Sequence, residues 1–162
     1  MVMKLVPQIT DDNWIIKTAA HWHELQEEIY SLKARRAELD NGPLARFKDA
    51  FGMDPRGSCA GGWSSLKEKR AHLHALLVEF EPVYIACGAD EIEDRLTELW
   101  AELDPISDSL QRAAPCSVPA ICARARVMTQ ISRDYLISYQ ADEAEIEAAE
   151  VALEDIDRLA AA

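Results

Sequence analysis

Histidine, cysteine and carboxylate are the side chains of this sequence whose spacing could do chemistry, and they fall into few constellations. The histidines form two matching pairs, His21-Trp22-His23 and His72-Leu73-His74. A metal site built from them would need neutral imidazoles from two helices and a carboxylate such as Glu24, Glu27 or Glu68. Residues i and i+2 of a helix point about 200° apart, so each pair can offer only one ligand to a common site. The Glu-x-x-His signature of di-iron bundles is absent. A metal-binding bundle is therefore the third of three functional readings, no cofactor is expected, and polar-surface or satisfied core histidines are preferred.

Gly57-Ser58-Cys59-Ala60-Gly61 matches the Gly-x-nucleophile-x-Gly pattern by letter, but that pattern works only on a strand-to-helix turn with a later acid and histidine. Asp54-Pro55-Arg56 precedes it instead. The loop also lacks the Gly-Lys-Ser/Thr ending of a phosphate-binding loop, and it reads as a connector carrying a thiol. Cys59, Cys87, Cys116 and Cys122 include no Cys-x-x-Cys pair, which argues against zinc ribbons and thioredoxin-type sites. Free thiols are expected, with Cys87 and Cys122 in the core. No constellation supports catalysis, and the chain reads as non-enzymatic.

The carboxylates are the sharper signal. Residues 1–81 hold 12 acidic and 11 basic side chains, whereas residues 82–162 hold 17 and 6, which is −11 of the net −12. Glu143, Glu147, Glu150, Glu154 and Asp157 are spaced 4, 3, 4, 3 and share one helix face. A second row, Glu91, Asp94, Glu98 and Glu102, is spaced 3, 4, 4 along an earlier helix. At 1.5 Å rise per residue, one such row carries a charge about every 5 Å, against one per about 1.7 Å of axis in duplex DNA. One helix is too sparse to imitate a duplex, so both rows would have to lie together to compete with nucleic acid for a basic protein groove. The alternative is a solvated face that keeps the protein soluble. The expected partner is a protein with a basic surface, with no direct binding of nucleic acid.

The elements that position these residues have helical period throughout, and no segment alternates as a strand would. A helix over about 12–40 is capped by Asp11 or Asp12 and carries Trp22, Leu25, Ile29, Leu32 and Leu39 as its stripe, with Arg36 in one seam position. Asn41-Gly42-Pro43 stops it. A connector over 41–64 contains one amphipathic turn around Phe47 and Phe51. Ser65 and Glu68 form a capping box for a helix to about Ala86 with stripe Leu66, Leu73, Leu77, Phe80 and Tyr84, bent at Pro82. After Gly88, Ile92, Leu96, Leu99, Leu103, Ile106 and Leu110 keep a strict four-three rhythm across Asp104-Pro105. One helix kinked at Pro105 is expected, with Asp104 available as a cap. Ser117 caps the next helix, with Ile121, Ala125, Met128 and Tyr135 facing inward and Pro119 in its first turn. The last helix, about 141–159, buries Ile146, Ala149, Leu153 and Ile156, and a turn is preferred at Ser138–Gln140. These last two helices should lie side by side, arginines toward carboxylates. Trp14, Trp22, Trp63 and Trp100 are read as packing residues, Trp100 flanking the heptad seam.

A chain of 162 residues can bury roughly 70% of its unfolded surface in one domain. Met1–Pro7 holds no apolar stretch long enough for a signal peptide, and the longest apolar runs, such as Val83–Cys87, fall far short of a membrane span. The expectation is a cytoplasmic, single-domain, all-α antiparallel bundle of five to six helices, away from membranes, with a homodimer allowed by its four-three seams.

The stretch Ala114-Pro115-Cys116-Ser117-Val118-Pro119-Ala120-Ile121-Cys122-Ala123-Arg124-Ala125-Arg126-Val127 resembles a segment recurring in small uncharacterised helical proteins of alphaproteobacteria. There a Thr/Pro/Ala-rich cap leads into Leu-Ala-Gly-Leu and then Ala-Lys-Ala-Arg. Val118, Ala120, Ile121 and Ala123–Val127 follow that pattern, while Pro119 and Cys122 depart from it. The likeness covers residues 90–160, with a heptad-like helix before the segment and an acidic one after it. It implies an all-helical architecture and a phage-like or mobile genomic setting, and it carries over no catalytic residue. The functional expectation is an acidic interaction protein, in its sharper form an inhibitor that blocks a nucleic-acid-binding protein. The competing class is a self-associating structural or scaffold subunit.

Overall fold

A computed structural model describes residues 9–47 and 66–161. The Met1–Pro7 segment, Phe51, the Gly57–Gly61 loop, Trp63 and Ser65 lie outside the described residues, as do the side chains of Leu66, Glu68, His72 and Leu73. The protein is all-α, an antiparallel helical bundle. Its helices are α1 (Asp12–Asn41), α2 (Leu66–Ala86), α3 (Ala89–Arg112), α4 (Val118–Ser138) and α5 (Glu143–Ala160), with a further helical turn beginning at 45–47. The chain divides into two compact units, residues 28–99 and residues 1–27 with 100–162. The division does not follow the near-neutral and acidic halves of the sequence.

In the 28–99 unit, α1 ends at Asn41, where a Cβ on Gly42 would stand 3.0 Å from the Glu38 carbonyl oxygen. The turn closes with the Leu44 N–H donating to the Leu39 carbonyl. Leu44, Phe47 and Ala89 form a buried cluster against Leu39, Phe80, Val83 and Tyr84, with Phe47 and Phe80 edge to face at 5.3 Å. Gly88, at φ 74°, makes the left-handed turn from α2 into α3. The exposed Leu77 does not join the cluster, and Cys87 is half-buried and packs against it. Arg95 and Arg36 of this unit reach Glu28 and Glu93 at 2.8 and 2.9 Å, tying the antiparallel partners α1 and α3.

In the other unit, Asp11 caps α1, accepting from the N–H groups of Asn13 and Trp14. That leaves Asp12 free for a distant role. Its carboxylate accepts from the N–H groups of Cys116 and Ser117, both at 2.8 Å, where the chain enters α4. These bonds hold the Asp12 carboxyl below the usual carboxylate range. Ser117 takes the N-cap position with Pro119 just inside, but its own side chain makes no capping bond. Trp22 is buried and donates its indole N–H to Ser107 Oγ at 2.8 Å, and that hydroxyl donates onward to the Leu103 carbonyl.

The heptad of α3 is the predicted seam. Ile92, Leu96, Leu99, Leu103 and Leu110 are buried and Ile106 half-buried. The helix runs unbroken through Pro105, so Asp104 caps no second segment. The inner face of α4 differs from expectation. Its buried residues are Ala120, Cys122 and Val127, while Ile121 and Tyr135 are exposed and Ala125 and Met128 half-buried. The inward seam is polar at two of its positions. Arg124 donates to the Leu110 and Gln111 carbonyls at the end of α3, and Asp134 accepts from Gln26 of α1. In α5, Ile146, Ala149, Leu153 and Ile156 are only half-buried, and no residue of that helix is buried. Each of Leu99→Ala and Leu103→Ala is expected to cost about 2–5 kcal/mol, the range for fully buried leucines. Unfolding in denaturant checks this, and unchanged midpoints would show that the seam does not carry the core.

Candidate interaction surface

The acidic face of α5 is positioned by the turn that precedes it. Gln140 adopts φ 53°, the Ala141 N–H returns to the Leu136 carbonyl at 3.0 Å, and Asp142 caps α5 by accepting from the Ala144 N–H. This turn makes α4 and α5 an antiparallel hairpin. The five predicted carboxylates then divide. Glu150 takes Arg133 at 2.9 Å and Asp157 takes Arg126 at 3.3 Å, so these two zip the hairpin. Glu154 stands 4.0 Å from Arg158, which prefers Asp155 at 2.8 Å. Glu143 and Glu147 are exposed and form no ion pair among the described residues. Pairs this exposed contribute about 0.2–1 kcal/mol each.

The second row also divides. Glu98 pairs with Arg95 at 3.1 Å in the 28–99 unit, where Glu91 and Asp94 are exposed. Glu102 belongs to the unit that holds α5, and there it meets His21 Nε2 at 3.0 Å. The expected pairing of arginines with carboxylates across the last two helices holds for Arg126 and Arg133. It fails for Arg124, whose guanidinium closes the C-terminal carbonyls of α3.

The histidines go to separate surroundings. His21 lies between Glu24 and Glu102 on the surface, and His74 is exposed on α2. Among the described residues no group of three or more histidine, cysteine, aspartate or glutamate side chains is placed to hold a metal ion. His23 stands edge-on to Trp22 at 5.1 Å, and its buried Nε2 has no hydrogen-bond partner among the described residues. The ring lines a cavity of about 260 Å³ between α1, α4 and α5, whose polar wall is the Arg126–Asp157 pair and whose apolar wall includes Ile16, Cys122 and Ile156. That volume is below the roughly 300–1,000 Å³ of ligand pockets. Cys122 is buried, Cys116 is exposed, and both are free thiols. No helix among the described residues is long and apolar enough to cross a membrane.

No protein-family model, curated protein or solved structure matches the chain.

Burial lowers the pKa of His23 below its ordinary value, and the nearby Arg126 adds to this against the opposing pull of Glu27 and Asp157. With the folded value depressed, the unfolded chain binds the extra proton first, so stability falls as pH drops below about 6.5. Thermal unfolding followed from about pH 7 to about pH 5 is expected to show a smaller loss in His23→Leu than in the wild type. Equal losses would contradict a buried, neutral imidazole.

Proposed function

We propose that the chain is a non-enzymatic, cytoplasmic interaction protein that docks a basic surface of another protein against the outer carboxylates of α5. One observation supports this most. The inner edge of the acidic row is neutralised by Arg126 and Arg133, while Glu143 and Glu147 beyond it have no counter-charge among the described residues. Unpaired carboxylates on a folded helix steer a cationic partner over a distance of about a Debye length, roughly 8 Å at physiological salt. A net charge of −12 disfavours direct contact with a phosphate backbone, which favours a protein partner over a nucleic acid. In the sharper form of the proposal, the partner is a nucleic-acid-binding protein and the chain is its inhibitor, encoded by a phage or mobile element. The resemblance of residues 90–160 to small alphaproteobacterial helical proteins supports that setting.

The hairpin pairing decides which residues to reverse. Glu150 and Asp157 hold α4 to α5, so the informative variant changes Glu143, Glu147 and Glu154 to lysine and leaves those two intact. A partner captured by the tagged chain and identified by mass spectrometry would be titrated with both proteins at low and high salt. The triple variant is expected to bind about tenfold or more weakly at low salt, a difference that shrinks at high salt. Equal affinities under all conditions would show that the face only confers solubility.

A further inference from the structure

Helix α4 has three faces, and two of them are used among the described residues. Ala120 and Val127, one heptad apart, are buried. Arg126 and Arg133, also one heptad apart, turn to α5. The third face carries Val118, Ile121, Ala125, Met128 and Tyr135, with Ser132 at the remaining four-three position and Tyr139 at the C-cap, and extends about 32 Å. Val118, Ile121, Tyr135 and Tyr139 are 62%, 47%, 59% and 70% exposed. The two tyrosine rings stack at 4.3 Å, which presents them as one block.

We infer that this face is the interface of a homodimer, in which α4 packs antiparallel on α4 of a second copy about a two-fold axis near Met128. Size and register carry the argument. An antiparallel pairing about Met128 sets Ile121 against Tyr135 and brings Val118 to within one residue of Tyr139 and Ala125 to within one residue of Ser132. Each aromatic ring then meets a β-branched side chain, and small residues meet small ones near the axis. A parallel pairing would stack four tyrosines at one end and leave the valine end thin. Antiparallel helices also oppose their macrodipoles favourably.

Charge points to the same face. The net charge of −12 repels a second copy over most of the surface, and α1, α3 and α5 all carry more carboxylates than basic residues. Helix α4 is the described helix in which arginines outnumber carboxylates. Arg124, Arg126 and Arg133 are all engaged within the chain, so the third face brings no unpaired charge to the contact.

The exposed area is of the order an interface requires. At roughly 200 Å² per tyrosine, Tyr135 and Tyr139 alone expose about 250 Å² per copy. Two copies thus supply about half of the roughly 1,000 Å² a specific interface needs, before Val118, Ile121 and Met128 are counted. This surface is independent of the acidic one, and neither proposal needs the other.

Sedimentation equilibrium of the full chain tests the interface. The wild type is expected to sediment at twice 18.1 kDa, and Ile121→Lys and Tyr135→Lys are each expected to sediment as monomers with unchanged circular dichroism. Two substitutions on well-exposed positions guard against one of them failing to fold. A wild type that stays monomeric at high concentration overturns the inference, as does a dimer that survives both substitutions. Mild oxidation tests the direction, with the new disulfides mapped by mass spectrometry. Met128→Cys is expected to cross-link to its own copy and Val118→Cys is not. Self-linkage at both positions would mean a parallel pair and would overturn the antiparallel interface.

Discussion

Everything in the 1–27/100–162 unit follows from the polar contacts that fix the rotation of α4. Asp12 holds the entry to the helix through the N–H groups of Cys116 and Ser117, Arg124 closes the carbonyls of α3, and Asp134 takes the Gln26 amide further along. Each contact answers an obligation that would otherwise be costly. Helix ends leave N–H and C=O groups without partners, and a buried group left unsatisfied costs about 1–3 kcal/mol. Hydrogen bonds are directional where apolar contacts are not, so three of them along one helix set its phase. The small Ala120 and medium Val127 between them let α4 approach closely. Once that phase is set, the most apolar stripe of α4 faces away from the core.

The acidic half of the molecule is built on this placement. With α4 oriented by its polar seam, Arg126 and Arg133 lie on the α5 side, where they meet Asp157 and Glu150. Helix α5 buries no residue completely and is held by half-buried aliphatics and exposed ion pairs. Such an element sits at the low-stability end of a fold. It serves better as a charged display than as a structural wall, and Glu143 and Glu147 at its start are what it displays.

Much of this was legible in the sequence, and the misses have one cause. The α3 heptad was readable because its stripe is purely apolar and strict in period, so Pro105 could not disguise it. The Asn41-Gly42-Pro43 stop was readable from residue type. The turn at Tyr139–Gln140 lacks the glycine that usually marks a left-handed position, so residue type alone left a turn and a continuous helix both open there. On α4 the apolar spacing points to Ile121, Met128 and Tyr135, while the true seam hides its purpose in Arg124 and Asp134. Their partners lie on other helices, Arg124's on α3 and Asp134's on α1, and no periodicity reports that. For the same reason the carboxylate row on α5 could be recognised, but not the two members that turn to α4. Asp12 looked like a helix cap, and its true partners are 104 and 105 residues away.

The orientation of α4 is therefore the claim on which the rest stands, and a matched pair of charge insertions tests it. Val127→Asp and Ile121→Asp place the same carboxylate on adjacent faces of one helix. Far-UV circular dichroism through a thermal melt reads the outcome. Val127→Asp is expected to lose its cooperative transition, because it buries an uncompensated charge, while Ile121→Asp keeps native helicity and a cooperative melt. The reverse result, with Ile121→Asp unfolded and Val127→Asp intact, would contradict that orientation.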